Sequence, residues 1–268
     1  MKTGNRPRKK WAEGPSRSGS HSAGLQTCPP NEPPWPPMKG GGVALWHIGD
    51  LRPTQMTVGF SEVERKRHRW RSEIGLTGTP SLARPTPIVV GPGSVGYALD
   101  RHHALCALIA EGAIRVPVVI AENLKSLGEE TFWRELMSRG WCHPFDAHGV
   151  QHSWRAIPQR FSDLADDPFR SLASALRRSG GYDKTEGLFS EFCWAAYLRG
   201  HFSRDALERD FPGTLRSARL LAAQPGACAL PGWRSPARCR PTNRDNVAAM
   251  RGPSEGGHDP AGLIRAAD

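Results

Sequence analysis

The first half of the chain is marked by short apolar runs separated by turn residues, a pattern typical of β-strands. An apolar run at 43–48 leads into a turn at 51–55. The later runs predict three strands, at 87–90, 97–99 and 116–120. The first two of these flank GPGSVG, which predicts a hairpin turn rather than a dinucleotide-binding loop, because a strand and not a helix follows it.

Apolar residues recur at helical spacing in two places between these runs. Ser61 begins a capping box that opens a helix ending near residue 71. Asp100 is the expected N-cap of a second helix, which has one apolar face and ends at Gly112. Strands and helices together predict a small mixed α/β lobe at residues 43–121.

The second half is helical in pattern, which predicts a helical lobe at residues 122–234. Helix starts are expected at Ser126, in a second capping box, and at Asp167, which precedes a proline at the first helical position. Three further helical patterns follow, at 189–200, 203–211 and 214–223. The last two flank a Pro-Gly turn and look like a helix-turn-helix pair. We therefore expect an α+β fold in which the two lobes form one unit.

The two ends of the chain differ from the lobes in composition. Residues 1–42 and 235–268 are rich in Pro, Gly, Ser and charge, so they are predicted to be disordered tails. Of the formal net charge of +10, residues 1–40 carry +5 (seven Lys/Arg, two acids) and the C-terminal tail +1 (five Arg, four acids), which leaves +4. That modest excess is compatible with a polyanionic partner. The basic tail fits non-specific nucleic-acid binding or, more simply, solvation.

Several classes of protein are excluded or disfavoured by what the sequence lacks. It has no signal-peptide pattern and no apolar run long enough to span a membrane, so we expect a cytoplasmic protein with no membrane partner. Its six cysteines show neither a C-x-x-C pair nor the spacing of a disulfide framework, which indicates reduced thiols. The P-loop and G-x-S-x-G motifs are also absent.

The segment with the strongest chemical signal is YALDRHHAL, in which a predicted strand runs directly into a helix. Backbone N–H groups at a helix start are unpaired and favour anions. Arg101, His102 and His103 add donors there, but cations at that end oppose the helix dipole unless an anion offsets them. The segment therefore indicates a phosphate site. The alternative is that Asp100 simply caps the helix and neutralises Arg101.

The predicted helix EVERKRHRWR combines five Lys/Arg with a tryptophan and could lie along a nucleic-acid backbone. Most of it fits a solvated face better. Lys66, one turn from Val63, is the exception and is predicted to contact phosphate. Lys184 and Glu191 are expected to be surface charges.

Two clusters of metal-ligating residue types fit structural roles better than a metal site. In one loop lie Cys142, His143 and His148, whose spacing matches no zinc pattern. The other cluster could supply carboxylates to a hydrolytic metal ion, and comprises Asp163, Asp166 and Asp167. The sequence thus assigns no metal ligands, and a divalent metal ion is the one cofactor it suggests.

The layout PIVV, Gly-rich turn, YALDRHHAL and VPVVI resembles the core of the ParB/sulfiredoxin superfamily, in which D-G-H-R-like motifs at a helix start hold phosphate. LRPTQMTVGFSEVERKR, FWRELMSRGWCHPFDAHG and FSEFCWAAYLRG extend the resemblance to the ParB-like nuclease family, over residues 45–234. By position, the resemblance implies phosphate contacts for the segment 100–103, with Arg52 and Gln55 bordering the same cleft. Arg101 stands where the family has a small residue, which favours a smaller phosphate substrate than a triphosphate.

Three functions follow from these patterns. The first is phosphodiester hydrolysis on nucleic acid, with His103 or His102 as general base or acid, Arg101 and Arg52 stabilising phosphoryl charge, and Asp100 orienting a histidine or holding a metal. The second is a nucleotide-dependent phosphotransferase on the same scaffold. The third is a non-enzymatic DNA-binding protein of the partitioning type. All three make nucleic acid or a nucleotide the partner, and none fixes the oligomeric state.

Overall fold

A five-stranded mixed sheet precedes a group of helices in the computed structural model, which describes residues 42–77, 84–185 and 189–235. The strands within these residues are β1 (Ala44–His47), β2 (Leu51–Pro53), β3 (Thr57–Val58), β4 (Thr86–Val90), β5 (Gly96–Ala98), β6 (Arg115–Asn123) and β7 (Ala165–Asp166). The sheet has the order β1-β6-β4-β5-β2, and β3 pairs in parallel with β7 apart from it.

The helices of the described residues are concentrated in the second half of the chain, as the sequence predicts. They are α1 (Phe60–Thr77), α2 (His102–Ala110), α3 (Glu129–Ser138), α4 (Pro168–Arg178), α5 (Ser190–Arg199), α6 (Arg204–Arg209) and α7 (Phe211–Ala222). The predicted class, a mixed α/β lobe followed by a helical lobe, is confirmed.

The predicted strands and their hairpin are present, and three short strands, β2, β3 and β7, were missed. β4 and β5 pair antiparallel across GPGSVG, as a hairpin requires. Residues 51–55 were predicted to be a turn, but Leu51–Pro53 form β2, which pairs in parallel with β5. A three-residue strand that contains proline has no readable alternation. Proline is tolerated there because β2 lies at an edge of the sheet.

The predicted helix caps are correct where a proline reinforces the signal and wrong elsewhere. Asp167 caps α4 through its side chain, as expected. In contrast, Arg101 is the N-cap residue of α2 and Gly128 that of α3, so the predictions for Asp100 and Ser126 were wrong. The side chain of Arg101 makes no capping hydrogen bond, and Gly128 has no side chain with which to make one.

The start of α1 is held by a tertiary contact rather than by a local capping box. The N–H of Phe60 donates to Oδ1 of Asp166 at 2.7 Å, across 106 residues of sequence. Ser61 therefore lies inside the first turn instead of capping it, and the helix runs to Thr77, beyond the predicted end. A local motif could not reveal a carboxylate supplied from so far along the chain.

The sheet carries helices on both faces, and each face has its own apolar core. Ile88 and Val90 of β4 point to the face covered by α1 and α2, where they pack with Leu105. Val89 points the other way, toward Phe132 of α3. This alternation follows from the two-residue period of a strand. The helical lobe has a third core.

The helical lobe is joined to the sheet lobe by strand pairing and by a close backbone contact. β3 pairs with β7, and α1 packs against α4. Between them, Gly59 lies so near Ser171 that a Cβ on the glycine would be 2.6 Å from the Ser171 backbone nitrogen. A side chain at residue 59 would therefore force α4 away from the start of α1.

The turn that was predicted at Pro212 and Gly213, between the two helices of a helix-turn-helix pair, was wrong. Pro212 and Gly213 lie within the first turn of α7, and only Asp210 separates α6 from α7. A DNA-reading helix-turn-helix has a turn of about three to four residues. Ala218 and Ala222 of α7 are buried in the core of the helical lobe.

Both predicted tails lie outside the described residues, apart from Gly42 and Ser235. In the part of the chain that is described, no helix is both long and apolar enough to cross a bilayer. Cys106, Cys142 and Cys228 are free thiols, as expected. Cys193 is disulfide-bonded, contrary to the expectation of reduced thiols throughout.

Candidate functional site

A cavity of about 1000 Å³ lies between the start of α2, the helix α1 and the helices α4 and α5. Its lining is strongly cationic. The basic residues that line it are Arg65, Lys66, Arg69, Arg84, Arg101, Arg170, Arg177 and Lys184. The acidic ones are Glu62, Asp100 and Glu191. Eight cations against three carboxylates leave an excess of five positive charges, so the cavity is suited to an anion.

The wall of the cavity includes the junction between β5 and α2. β5 ends at Ala98, and α2 begins at His102 after a left-handed residue, Arg101, with φ 69° and ψ 19°. The first backbone N–H groups of a helix have no partner within the helix and point outward from its start. Asp100, Arg101, His102 and His103 all line the cavity, where Asp100 is exposed, Arg101 is partly buried and the two histidines are buried.

Both histidines of the junction are held by backbone donors. Nε2 of His102 accepts from the Thr54 N–H at 3.2 Å, and Nε2 of His103 accepts from the Gly59 N–H at 3.0 Å. A ring nitrogen that accepts a hydrogen bond carries no proton, so each neutral ring has its hydrogen on Nδ1. Each imidazole is thus oriented by Nε2 and keeps one donor, its Nδ1–H.

Burial keeps both rings neutral. It lowers the pKa of His102 to about 3, and the positive charge of Arg170 adds to the effect. Burial likewise lowers the pKa of His103 well below its usual value, helped by Arg170 and Lys66. Nε2 of each ring already accepts a hydrogen bond, and burial disfavours protonation of the ring. Each histidine is therefore better suited to donate a hydrogen bond through Nδ1 than to act as a general base. The catalytic assignment of the two histidines stays a prediction.

Gly59 connects the packing of α4 to the orientation of His103. In a Gly59→Ala variant the new Cβ would lie 2.4 Å from Oγ and 2.6 Å from the backbone nitrogen of Ser171. Because the backbone cannot yield locally, we expect a loss of about 3 kcal/mol in the free energy of unfolding, measured by urea titration. Gly42→Ala is the matched control, since a Cβ at Gly42 meets nothing within 4 Å. Equal stability of the two variants would contradict the tight contact.

The other predicted phosphate ligands divide between the cavity and the outer surface. Gln55 lines the cavity, and its Nε2 donates to the Thr57 carbonyl at 2.6 Å. Lys66 also lines it, with Nζ 3.5 Å from Glu62 Oε1. Arg52 is not among the residues that line it, and its guanidinium donates to the carbonyl of Gly49 at 2.7 Å. A role for Arg52 beside the phosphate stays a prediction.

Comparison with known proteins identifies the family. The family model described as "Putative ParB-like nuclease" matches residues 45–200. The chain belongs to this ParB-like nuclease family. The match encloses every residue that lines the cavity and ends before α6. It is shorter than the range 45–234 that the sequence resemblance suggested.

A solved structure supports the ParB-like assignment over most of the chain. The crystal structure of protein Atu1540 from Agrobacterium tumefaciens is similar, with a TM-score of 0.67 and 42% sequence identity. The similarity covers 72% of this chain and 98% of that one. No curated protein matches the sequence.

One wall of the ParB-like cavity was not predicted from the sequence. Arg170, Ser174 and Arg177 of α4 line it and occupy positions i, i+4 and i+7, which share one face of the helix. That spacing was the available signal, but polar residues at helical spacing usually indicate a solvated face. Only the position of α4 opposite α2 shows that this face borders a cavity.

The expectation that Lys184 and Glu191 are surface charges is confirmed for Lys184, which is exposed, and wrong for Glu191, which is partly buried. Both line the cavity. Lys184 is exposed toward it, whereas Glu191 is partly buried and forms an ion pair with Arg177 at 2.8 Å. Glu191 therefore neutralises part of the charge on α4.

The two clusters considered as metal ligands have structural roles. Asp163 pairs with Arg160, and Asp167 pairs with Arg199 in addition to capping α4. His143 is buried against the ring of Phe192, with the ring centroids 3.7 Å apart. Among the described residues, no three His, Cys, Asp or Glu side chains are grouped closely enough to hold a metal ion.

Proposed function

We propose that this ParB-like protein hydrolyses phosphodiester bonds in nucleic acid and binds the reacting phosphate at the start of α2. The observation that carries the proposal is the joint placement of the α2 start and an excess of five positive charges on one cavity. Helix starts and arginines are both well suited to bind phosphate. The cationic lining also suits the polyanionic strand on either side of that phosphate.

The roles of the residues follow from their contacts. Arg101 and the Nδ1–H groups of His102 and His103 donate to the phosphoryl oxygens, where negative charge grows in the transition state. Because neither ring has a free acceptor nitrogen, the proton of the attacking water needs another base. Asp100 is exposed at the cavity and has no ion-pair partner among the described residues, so its carboxylate accepts that proton. The leaving alcohol oxygen takes its proton from solvent water.

The size of the cavity also favours a second candidate, the nucleotide-dependent phosphotransferase. A volume of about 1000 Å³ lies at the upper end of small-molecule sites. That activity would show saturable nucleotide turnover with transfer to an acceptor and no cleavage of DNA or RNA.

The test is a cleavage assay on end-labelled single- and double-stranded DNA and RNA. Each substrate is incubated with and without divalent metal ions, and the wild type is compared with an Asp100→Asn variant. We expect strand cleavage that falls by about 10²-fold or more in the variant. Arg155→Gln, which changes an arginine remote from the cavity that is paired with Glu130, serves as the control. The absence of cleavage of every substrate by the wild type would overturn the proposal.

Arg101 allows stability and phosphate binding to be separated. Its left-handed backbone costs a non-glycine residue about 1 kcal/mol. An Arg101→Gly variant adopts this conformation freely, so we expect its free energy of unfolding to be unchanged or raised by up to about 1 kcal/mol. It loses a cationic donor, so we expect kcat/KM for cleavage to fall at least about tenfold. A variant that is less stable and equally active would contradict the role of Arg101.

A further inference from the structure

Arg170 of α4 is a buried cation whose hydrogen-bonding capacity is largely unused. Only 3% of its surface is exposed. Its Nε and Nη1 atoms are fully buried and have no hydrogen-bond partner among the described residues. A guanidinium remains charged inside a protein, and an uncompensated buried charge is strongly destabilising. The arrangement therefore leaves two buried donor atoms to be satisfied, and the carboxylates near Arg170 decide how much of its charge is compensated.

The nearby carboxylates compensate Arg170 poorly. Nη2 of Arg170 is 3.9 Å from Oε2 of Glu191, beyond hydrogen-bonding distance, and Glu191 is held by Arg177 at 2.8 Å. Asp167 is engaged by Arg199 at 2.6 Å. These contacts leave the charge of Arg170 available to a ligand.

The side chain of Arg170 is held in place even though its donors are unused. Its guanidinium carbon lies 3.4 Å from the centroid of the Phe192 ring. A cation stacked on an aromatic face is held in position by the ring, and the stacking leaves the N–H groups at its edges available. Arg170 is thus fixed in place, while two of its donor atoms have no partner within the described part of the chain.

A second unused group lies one helical turn away on the same wall. Oγ of Ser174 is fully buried and has no hydrogen-bond partner among the described residues, and Ser174 lines the cavity together with Arg170. Residues four apart on a helix are neighbours on one face. A guanidinium and a hydroxyl on that face form a set of donors for an oxyanion.

This second set of donors faces the same cavity as the start of α2. Arg170, Ser174 and residues 100–103 all line this one cavity. A ligand in the cavity can therefore touch both walls at once, with one phosphate at the start of α2 and a further anionic group against α4.

We propose that Arg170 and Ser174 form a second phosphate subsite that binds a terminal phosphate group, so that the substrate is a phosphorylated strand end or a nucleotide. This inference rests on the proposed function and adds the class of substrate to it. A terminal phosphate carries a charge between about −1.5 and −2 near neutral pH, whereas a phosphodiester inside a strand carries a single charge. The dianion compensates the buried arginine better. A subsite formed by buried residues also suits a strand end better than a continuous duplex.

The test measures binding without turnover, by fluorescence anisotropy of short single-stranded oligonucleotides under conditions without cleavage. Two otherwise identical oligonucleotides end either in a phosphate or in a hydroxyl. We expect the wild type to bind the phosphorylated one at least about tenfold more tightly, and inorganic phosphate or a nucleoside monophosphate to compete with it. Arg170→Gln should bind both oligonucleotides alike. Arg155→Gln, the surface control, should keep the preference.

The outcomes separate this inference from the proposed function. Cleavage without any preference for a phosphorylated end, or a preference that survives Arg170→Gln, overturns the terminal-phosphate subsite and leaves the hydrolase intact. A preference for the phosphorylated end with no cleavage of any substrate supports the subsite and overturns the hydrolase. If Arg170→Gln does not fold, Ser174→Ala removes the hydroxyl alone and should weaken the preference. Competition by inorganic phosphate is measured with the wild type, so this result does not depend on whether Arg170→Gln folds.

Discussion

Lowering the pH from about 7 to about 5 is expected to destabilise this protein severely, because three histidines are buried in the neutral form. His102, His103 and His143 are each at most 8% exposed, and burial lowers the pKa of each below the usual 6.5. In the unfolded chain these rings bind protons as the pH falls through about 6.5. In the folded protein they do not, so the unfolded state gains protons and is favoured.

The size of the effect follows from linkage. A histidine that stays neutral in the folded state down to pH 5 contributes a loss of about 2 kcal/mol between pH 6.5 and 5, so three contribute roughly 6 kcal/mol. Typical domains are stable by about 5–15 kcal/mol. Asp166 and Asp167, whose pKa values burial raises, act in the opposite direction, since their protonation favours the folded state. Their effect begins as the pH falls through the raised folded-state pKa of each carboxyl and is complete near the usual value of 3.8, and it involves two groups against three.

Urea unfolding followed by tryptophan fluorescence at a series of pH values measures this loss directly. His103→Gln provides the control, because it removes one of the three titrating rings and should reduce the slope of stability against pH by about a third. A free energy of unfolding that is the same at pH 7 and pH 5 would show that these rings are protonated in the folded protein.

Replacing His103 by glutamine is expected to lower activity, whereas replacing it by asparagine is expected to keep much of the activity. The amide of glutamine lies near the position of Nε2, so it can accept from the Gly59 N–H as the ring does at 3.0 Å, but it offers no donor at Nδ1. The amide of asparagine lies near Nδ1 and keeps that donor. We expect kcat for phosphodiester cleavage to fall about 10²-fold or more in His103→Gln, with stability at pH 7 largely retained.

His103→Asn is expected to keep much of the turnover but to lose stability, because the Gly59 N–H is left buried without its acceptor, at a cost of about 1–3 kcal/mol. Steady-state kinetics and urea titration of both variants provide the comparison. The reverse result, full activity in His103→Gln and loss in His103→Asn, would show that the ring acts through Nε2, as a general base does.

The sequence was sufficient to locate the β5–α2 junction because strand, turn and helix signals there are local. The apolar run that contains Val89 and the helical spacing that includes Leu105 both depend only on neighbouring positions. The left-handed conformation of Arg101 was missed, since an arginine gives no sign of positive φ. The opposite wall was missed for a different reason. Arg170 and Ser174 are buried by packing between α4 and residues far away in sequence, and periodicity does not report what a polar face meets.

The pairing of β3 with β7 has a consequence for how the molecule acquires its site during synthesis. The two strands, and the Phe60–Asp166 hydrogen bond beside them, bring together segments separated by about a hundred residues, and such contacts form late because long loops must close first. A nascent chain that has reached only α3 has both histidines but lacks the wall carried by α4. Incomplete chains therefore do not present an assembled cavity to nucleic acid, and the site exists only once the ribosome has delivered the helical half.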